Sequence, residues 1–289
     1  MSEAMKDAVV TKEKVAGRTL RVATWRLDQT SEHLPVLFFN GIGANIEAVA
    51  PLAEALPERP FIMFDMPGTG ESPDPVIPYN PFTMCWTATE ILGHLGVGEV
   101  DVMGVSWGGA MAQHYALQHA GRTRRLILVA TTPGMAMVPG NPAAFTKMAN
   151  PRRYIDPEFM NEHFATLYGG ADADGAAHQK DSHIGRLKPP SARGYMYQLL
   201  CMMGWTSLPA LPFLKQKTLI MMGGDDQIVR PINGQILKMM IPNARIQMFE
   251  GGGHLFLLTH ADESVVAIRE FLDAPETADE ADRVKAAAA

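Results

Sequence analysis

The residues Gly104-Val105-Ser106-Trp107-Gly108 decide how this sequence is interpreted. They follow an apolar segment, Val100–Val105, that predicts a strand, and they open a segment that predicts a helix. A serine at a tight turn between a strand and a helix stands exposed above the edge of the sheet, and flanking glycines leave room where a side chain would clash. The alternative is a serine with only a structural role in an ordinary turn. We expect Ser106 to be a nucleophile.

Short apolar segments alternate with helix-like segments on both sides of this motif. The predicted strands are residues 19–25, 36–39, 61–64, 100–105, 126–130, 218–222 and 245–249. The predicted helices are residues 46–56, 83–95, 108–119, 231–240 and 262–272. Several strands are nearly continuous apolar runs, which is typical of strands covered on both faces. The alternation predicts an α/β fold with a mainly parallel sheet flanked by helices.

The alternation breaks once, between residues 133 and 214, where we find no confident strand. Helical patterns at residues 157–167 and 192–203, together with many aromatic residues, favour an inserted helical lid over a disordered linker. The segment after residue 273 is rich in Ala, Asp and Glu, so we expect it to be a disordered tail. The predicted parts are an N-terminal extension (1–17), a core (18–132 and 215–273), a lid (133–214) and the tail (274–289).

A serine is a weak nucleophile without a base, and a histidine needs an acid that fixes its tautomer. His254 lies in the glycine-rich segment after the last predicted strand, whereas His260 looks like part of the next helix, so we favour His254. Two adjacent carboxylates, Asp225 and Asp226, follow the strand at residues 218–222, and only one of them can face the histidine. We favour Asp226, with Asp225 as the alternative.

An oxyanion hole needs two N–H donors. One is expected from Trp107, which follows the nucleophile, and the other from the loop after residues 36–39, where Ile42 lies between Gly41 and Gly43. A phosphate-binding loop is disfavoured, because the third glycine of its pattern is missing and no Lys-Ser or Lys-Thr pair follows. The glycine-containing segment at residues 65–72 is interpreted as a structural turn.

Composition narrows the class of protein further. The chain has 289 residues, 47% of them hydrophobic and 19% charged, with a formal net charge of −6, which is typical of a globular protein and disfavours nucleic-acid binding. Two cysteines cannot form a disulfide scaffold, and no metal-ligand spacing appears, so no metal and no cofactor are expected. Without a signal peptide or a long apolar run, we expect a cytoplasmic protein with no transmembrane segment.

The longer phrases around these residues resemble the intracellular medium-chain-length polyhydroxyalkanoate (PHA) depolymerases, a branch of the α/β-hydrolase superfamily. The order Ser106, Asp226, His254 is also the order of that superfamily. The phrases that carry the resemblance are residues 39–45, 104–110, 137–140, 151–154, 168–170, 204–207, 241–244 and 253–257. The resemblance implies an α/β-hydrolase fold, the same three catalytic residues, and association with polymer granules. Asn40, Gly41, Met137 and Trp205 lie in these phrases and are our candidates for substrate contacts.

One departure from the family lies at the acid turn. The family usually has three aspartates and a proline there, whereas this chain has Gly224-Asp225-Asp226-Gln227. The choice between Asp225 and Asp226 therefore stays open at this point.

A serine at this turn suits acyl transfer to water through an acyl-enzyme, whereas dehalogenases and epoxide hydrolases of this fold have an aspartate there. The resemblance implies hydrolysis of the ester bonds of stored poly(3-hydroxyalkanoate). The alternative is a carboxylesterase or lactonase that acts on small apolar esters. A third hypothesis, a hydrolase-like binding protein without activity, is disfavoured by the intact order of serine, aspartate and histidine.

Overall fold

The computed structural model describes residues 5–150, 152, 156, 158–159, 162–164 and 185–275. Within these residues, eight strands form one sheet. They are β1 (Ala8–Val15), β2 (Arg18–Trp25), β3 (Val36–Phe39), β4 (Phe61–Phe64), β5 (Val100–Val105), β6 (Thr123–Val129), β7 (Lys217–Gly223) and β8 (Ala244–Phe249).

The strand order in the sheet is β1-β2-β4-β3-β5-β6-β7-β8. Strand β2 pairs antiparallel with both β1 and β4, and all the pairings from β4 through β8 are parallel. Because the carboxyl ends of parallel strands lie at one edge, the loops after β3, β5, β7 and β8 meet there. This edge carries the candidate catalytic residues.

Helices cover both faces of the sheet, and the two sets of strand side chains alternate between two apolar clusters. One cluster contains residues of α2 (Pro81–His94), α3 (Trp107–Gln118) and α6 (Ile232–Met240), and the other contains residues of α1 (Ile46–Glu54) and α8 (Ala261–Asp273). The other helices with both ends among the described residues are α4 (Pro142–Ala149), α5 (Ala192–Cys201) and α7 (Phe256–Thr259), with short 3₁₀ helices at Ala120–Arg122 and Leu211–Phe213. The predicted α/β-hydrolase fold, with its mainly parallel sheet, is confirmed.

The structure differs from the sequence prediction in three elements. The first is β1, which lies in the segment expected to be an extension and pairs with β2 along its whole length. The others are α4, in the lid, and α7, which directly follows His254. Of the two helices predicted in the lid, residues 192–203 contain α5, whereas residues 157–167 fall largely outside the described part of the chain, as does the tail from residue 276.

Four charged side chains tie the loops after β3 and β4 to the sheet and to the lid. The Arg21 guanidinium, on β2, donates to Glu47 at 3.0 Å and to Asp65 at 3.1 Å, and Lys188 of the lid lies 3.0 Å from Glu47. Burial raises the pKa of Asp65 to about 6, against the attraction of Arg21. Burial would also raise the pKa of Glu47, but hydrogen bonds from Arg21 and Asn45 lower it to about 2.

We expect Glu47→Gln to lower the free energy of unfolding by about 2 to 3 kcal/mol at pH 7, because it removes one charged partner of the buried Arg21. The folded-state pKa of Glu47 lies below its ordinary value of 4.5, so its stabilisation is present above pH 4.5 and is lost as the pH falls toward 2. The difference between the two proteins should therefore shrink on acidification, as measured by urea unfolding.

The matched control for this prediction is Glu71→Gln. Glu71 also faces Arg21, but at 3.9 Å and with its side chain half exposed. We expect this change to alter stability by less than about 1 kcal/mol. An equal loss in both variants would contradict the role given to the buried Glu47.

Candidate active site

Ser106 lies at a sharp turn between β5 and α3, with φ 55° and ψ −118°. Positive φ is unfavourable for a residue with a side chain, and the turn is held by a hydrogen bond from the Ser106 N–H to Val129 O at 2.8 Å. A Cβ atom at Gly104 would come within 2.2 Å of Gly108 O, and one at Gly108 within 2.1 Å of Phe39 O. Both glycines are therefore required by the close approach of the backbone.

Asp226 follows β7 and is aimed at His254, which follows β8. The Asp226 Oδ2 atom lies 2.7 Å from His254 Nδ1, and both residues are buried. The other carboxylate oxygen accepts hydrogen bonds from the N–H groups of Ile228 and Val229, each at 2.8 Å. These bonds fix the carboxylate so that it can orient the imidazole.

The two alternatives left open by the sequence lie elsewhere. Asp225 is exposed, and its backbone N–H donates to Gly252 O at 2.8 Å. His260 is the residue that precedes α8, and its Nε2 atom lies 3.1 Å from Glu250 O. The geometry therefore favours Asp226 and His254 as the acid and the base.

The loop after β3 lies against the Ser106 turn. Its N–H groups at Gly41, Gly43 and Ala44 donate to Asn40 Oδ1 (2.9 Å), Gln198 Oε1 (2.7 Å) and Gly41 O (3.1 Å), so these three are committed within the protein. Ile42, the donor expected from the sequence, lies between Gly41 and Gly43 in this loop and lines the cavity beside Ser106. The other expected donor, Trp107, is the first residue of α3, where the N–H groups point toward the helix start.

Ser106 and His254 line one apolar cavity at the carboxyl edge of the sheet. Its empty volume is about 720 Å³ including the open mouth. Most of its lining is aliphatic, so it can receive an apolar group beside Ser106 and His254. The lining residues expected from the sequence are Asn40, Gly41, Ile42, Ser106 and His254, and those not expected include Val49, Met148, Leu187, Leu255 and Leu258.

Two of the four candidate substrate contacts do not line this cavity in the described part of the chain. The Trp205 indole donates to His114 Nδ1 at 3.1 Å, and the Met137 N–H donates to Gly134 O at 3.0 Å, within a turn of the lid. Asn40 does line the cavity, but its side chain also donates to Asn45 O at 2.9 Å, so it braces the loop.

Sequence reasoning missed the apolar lining and one polar residue, Gln198. The lining comes from α1, α4 and the segment after His254, and no local pattern marks these residues as cavity residues. Gln198 is a buried amide on α5 that contacts the loop after β3. A polar residue in a helix of the lid is ordinarily expected to be exposed, so no pattern in the sequence marks Gln198 as buried.

The described residues contain neither a candidate membrane span nor a candidate metal site. No helix there is both long and apolar enough to cross a membrane. No group of three or more His, Cys, Asp or Glu side chains in that part of the chain is arranged to hold a metal ion.

The comparisons with known proteins agree with this fold. Residues 36–268 match the "Alpha/beta hydrolase family", and the chain belongs to this family. It is 40% identical over 242 residues to the poly(3-hydroxyalkanoate) depolymerase of Ectopseudomonas oleovorans, with 82% of this chain and 84% of that protein covered. It is 28% identical over 276 residues to the 2-hydroxymuconate semialdehyde hydrolase of Pseudomonas putida, with 89% and 94% covered.

Among solved structures, the enol-lactonase of Burkholderia xenovorans LB400 matches with a TM-score of 0.76 and 20% identity, covering 91% of this chain and 99% of that one. This likeness concerns the fold. The family and the first of the relatives confirm the predicted resemblance. The chain is a carboxylic-ester hydrolase of this family, as the sequence predicts.

We expect Asp226→Asn to lower kcat on p-nitrophenyl octanoate by about 10⁴-fold, because the amide no longer holds the imidazole in the reactive tautomer. The matched variant Asp225→Asn removes a carboxylate one residue away that is exposed, and its kcat should stay within about twofold of the wild type. Steady-state kinetics on the two purified variants checks this. The reverse ranking would assign the acid to Asp225.

Proposed function

We propose that this protein hydrolyses the ester bonds of medium-chain-length poly(3-hydroxyalkanoate) through an acyl-enzyme on Ser106. The observation that carries the chemistry is the contact of His254 Nδ1 with Asp226 Oδ2 at 2.7 Å, beside the cavity that Ser106 and His254 both line. This is the arrangement in which a serine hydroxyl is activated by an oriented imidazole.

In the proposed mechanism, the Ser106 Oγ atom attacks the ester carbonyl carbon while His254 takes the hydroxyl proton. The carbonyl oxygen becomes an oxyanion that accepts hydrogen bonds from the N–H groups of Ile42 and Trp107. The intermediate collapses, the C–O bond to the alcohol breaks, and His254 gives the proton to the departing oxygen. Water, activated by His254, then attacks the acyl-enzyme and releases the acid, while the proton returns to Ser106.

The apolar cavity favours a substrate with hydrocarbon side chains. Its lining is almost entirely aliphatic apart from Asn40, Ser106 and His254. A second apolar cavity adjoins it and shares Ala48, Val49, Leu257 and Leu258 as lining residues. Two adjoining apolar cavities suit a medium-length alkyl chain next to the scissile ester better than a short one. The depolymerase relative supports the same substrate class.

The test is product analysis on polyester granules. Wild-type protein should release 3-hydroxy acids or their oligomers from medium-chain polymer granules, and Ser106→Ala should lower this rate by at least about 10⁴-fold, because no other group supplies the nucleophile. Short-chain granules are the matched substrate and should be cleaved more slowly.

The outcomes separate the competing functions. Rapid turnover of p-nitrophenyl octanoate without release from either polymer would favour a carboxylesterase or lactonase of small apolar esters. Full polymer activity in Ser106→Ala would exclude the proposed nucleophile. Failure of a fluorophosphonate probe to label the folded wild-type protein would favour a binding protein without activity.

We further propose that the protein adsorbs to polymer granules through the outer face of α5. Met196, Leu199 and Leu200 lie on one face of α5, Met203 follows in the turn after the helix, and the four side chains are 39–69% exposed. A row of exposed apolar side chains on a lid helix is a typical feature of interaction surfaces, and the surface of a stored polyester is apolar. In this proposal, the protein acts in the cytoplasm, at the surface of the granule.

We expect the double variant Leu199→Gln/Met203→Gln to weaken the affinity for medium-chain granules about 30-fold, because it removes apolar area worth about 1 kcal/mol at each position, or about 2 kcal/mol in all. The matched control is Val266→Gln/Met239→Gln, which changes residues of similar exposure on α8 and α6. Co-sedimentation with granules measures binding, and p-nitrophenyl octanoate hydrolysis should be unchanged in both variants. Equal loss of binding in the control would exclude α5 as the contact surface.

A further inference from the structure

Gln198 joins the lid to both sides of the candidate oxyanion hole. It lies on α5 and is 1% exposed. Its Oε1 atom accepts a hydrogen bond from the Gly43 N–H at 2.7 Å, and its Nε2 donates to Thr69 Oγ1 at 2.7 Å. Its backbone carbonyl accepts a hydrogen bond from the indole N–H of Trp107 at 3.0 Å.

These contacts fix the groups that neighbour the two expected donors. The Gly43 N–H belongs to the peptide unit that directly follows Ile42, so its direction limits the rotation of the backbone at Ile42. Gly43 has φ 69°, a conformation that favours glycine, so no side chain at this residue restrains the peptide. The indole contact holds the side chain of Trp107, the residue whose N–H is the other expected donor.

The amide of Gln198 cannot be reversed in this setting. Its oxygen faces an N–H group, which can only donate, so its nitrogen must face Thr69, whose hydroxyl can accept. Because the side chain is fully buried, loss of either bond would leave a polar group without water. The Gln198 side chain therefore joins the loop after β3, the turn after β4 and α5.

We propose that Gln198 is a positioning residue that orients both donors of the oxyanion hole, so that the placement of the lid helix is part of the catalytic geometry. The proposal rests on the acyl-enzyme mechanism above. Donors in an oxyanion hole act when they are aimed at the position of the developing charge. A small misplacement of a donor therefore weakens the binding of the transition state more than the binding of the substrate. Gln198 therefore contributes to kcat.

Other contacts anchor α5 without Gln198. The anchoring of α5 and the orientation of the oxyanion donors can therefore be tested separately. Ser191 caps the helix by accepting from the Gly194 N–H at 2.9 Å, and its own N–H donates to Gly68 O at 2.8 Å. Gly194 lies so close to Gly68 that an added Cβ would come within 2.6 Å of the Gly68 Cα atom. Loss of the Gln198 side chain should thus leave the helix in place.

The experiment compares Gln198→Met with Ser191→Ala. Methionine has a similar length but makes neither hydrogen bond, whereas Ser191→Ala weakens the anchoring of α5 and leaves the loop after β3 untouched. We expect Gln198→Met to lower kcat on p-nitrophenyl octanoate by roughly 10- to 100-fold, less than the loss of a whole oxyanion donor, with KM within about twofold. Ser191→Ala should keep kcat within about twofold.

A second readout reports on the oxyanion hole itself. Octylboronic acid forms a tetrahedral adduct with an active serine and places an oxygen where the oxyanion develops. Its inhibition constant should rise in Gln198→Met by about the same factor by which kcat falls, and circular dichroism should show both variants folded. Unchanged kcat and inhibition constant, or equal losses of kcat in the two variants, would overturn the proposal. A wild-type protein that neither hydrolyses the ester nor binds the boronic acid would instead refute the proposed function.

Discussion

The close contact between β5 and the start of α3 is the constraint on which the site depends. The chain reverses direction at Ser106, where φ is positive. This conformation is strained by about 1–3 kcal/mol and has to be held by the surrounding residues. The contact at Gly108 reaches beyond the turn, because a Cβ there would lie 2.1 Å from Phe39 O and 2.4 Å from Asn40 O. Because Gly108 has no side chain, the turn that carries Ser106 can lie against the loop after β3.

A second layer of contacts holds the loops that this turn meets. The buried group of Arg21, Glu47 and Asp65 joins β2 to the loops after β3 and β4, and Asp65 Oδ1 also accepts from the first N–H of α1 at 2.8 Å. Lys188 extends the group into the lid. The same loops carry Gly43 and Thr69. The charged residues that anchor the lid therefore also hold the loops of the candidate site.

The sequence was sufficient to predict most of the sheet and to select the candidate catalytic residues, because both have local signals. Apolar runs marked β2 to β8, and glycines marked the turns at Ser106 and before His254. Strand β1 was missed because most of its side chains are exposed and it exists through pairing with β2. The choice of Asp226 over Asp225 needed three-dimensional contacts, as did the role of Gln198, which depends on residues about 90 to 155 positions away.

Helix α5 shows why such contacts matter, since it buries a polar side chain beside Gly194 and Cys201 while three of its large apolar side chains are exposed. Amphipathic helices bury their apolar face, yet α5 buries Gln198 and exposes Met196, Leu199 and Leu200. The inward face meets loops whose backbone N–H groups need acceptors, so an amide satisfies them where a leucine would leave them unpaired. The apolar side chains of the outward face can then be buried only against an external apolar surface. In the proposed function, one short helix therefore receives the polymer on one side and supports the oxyanion hole on the other.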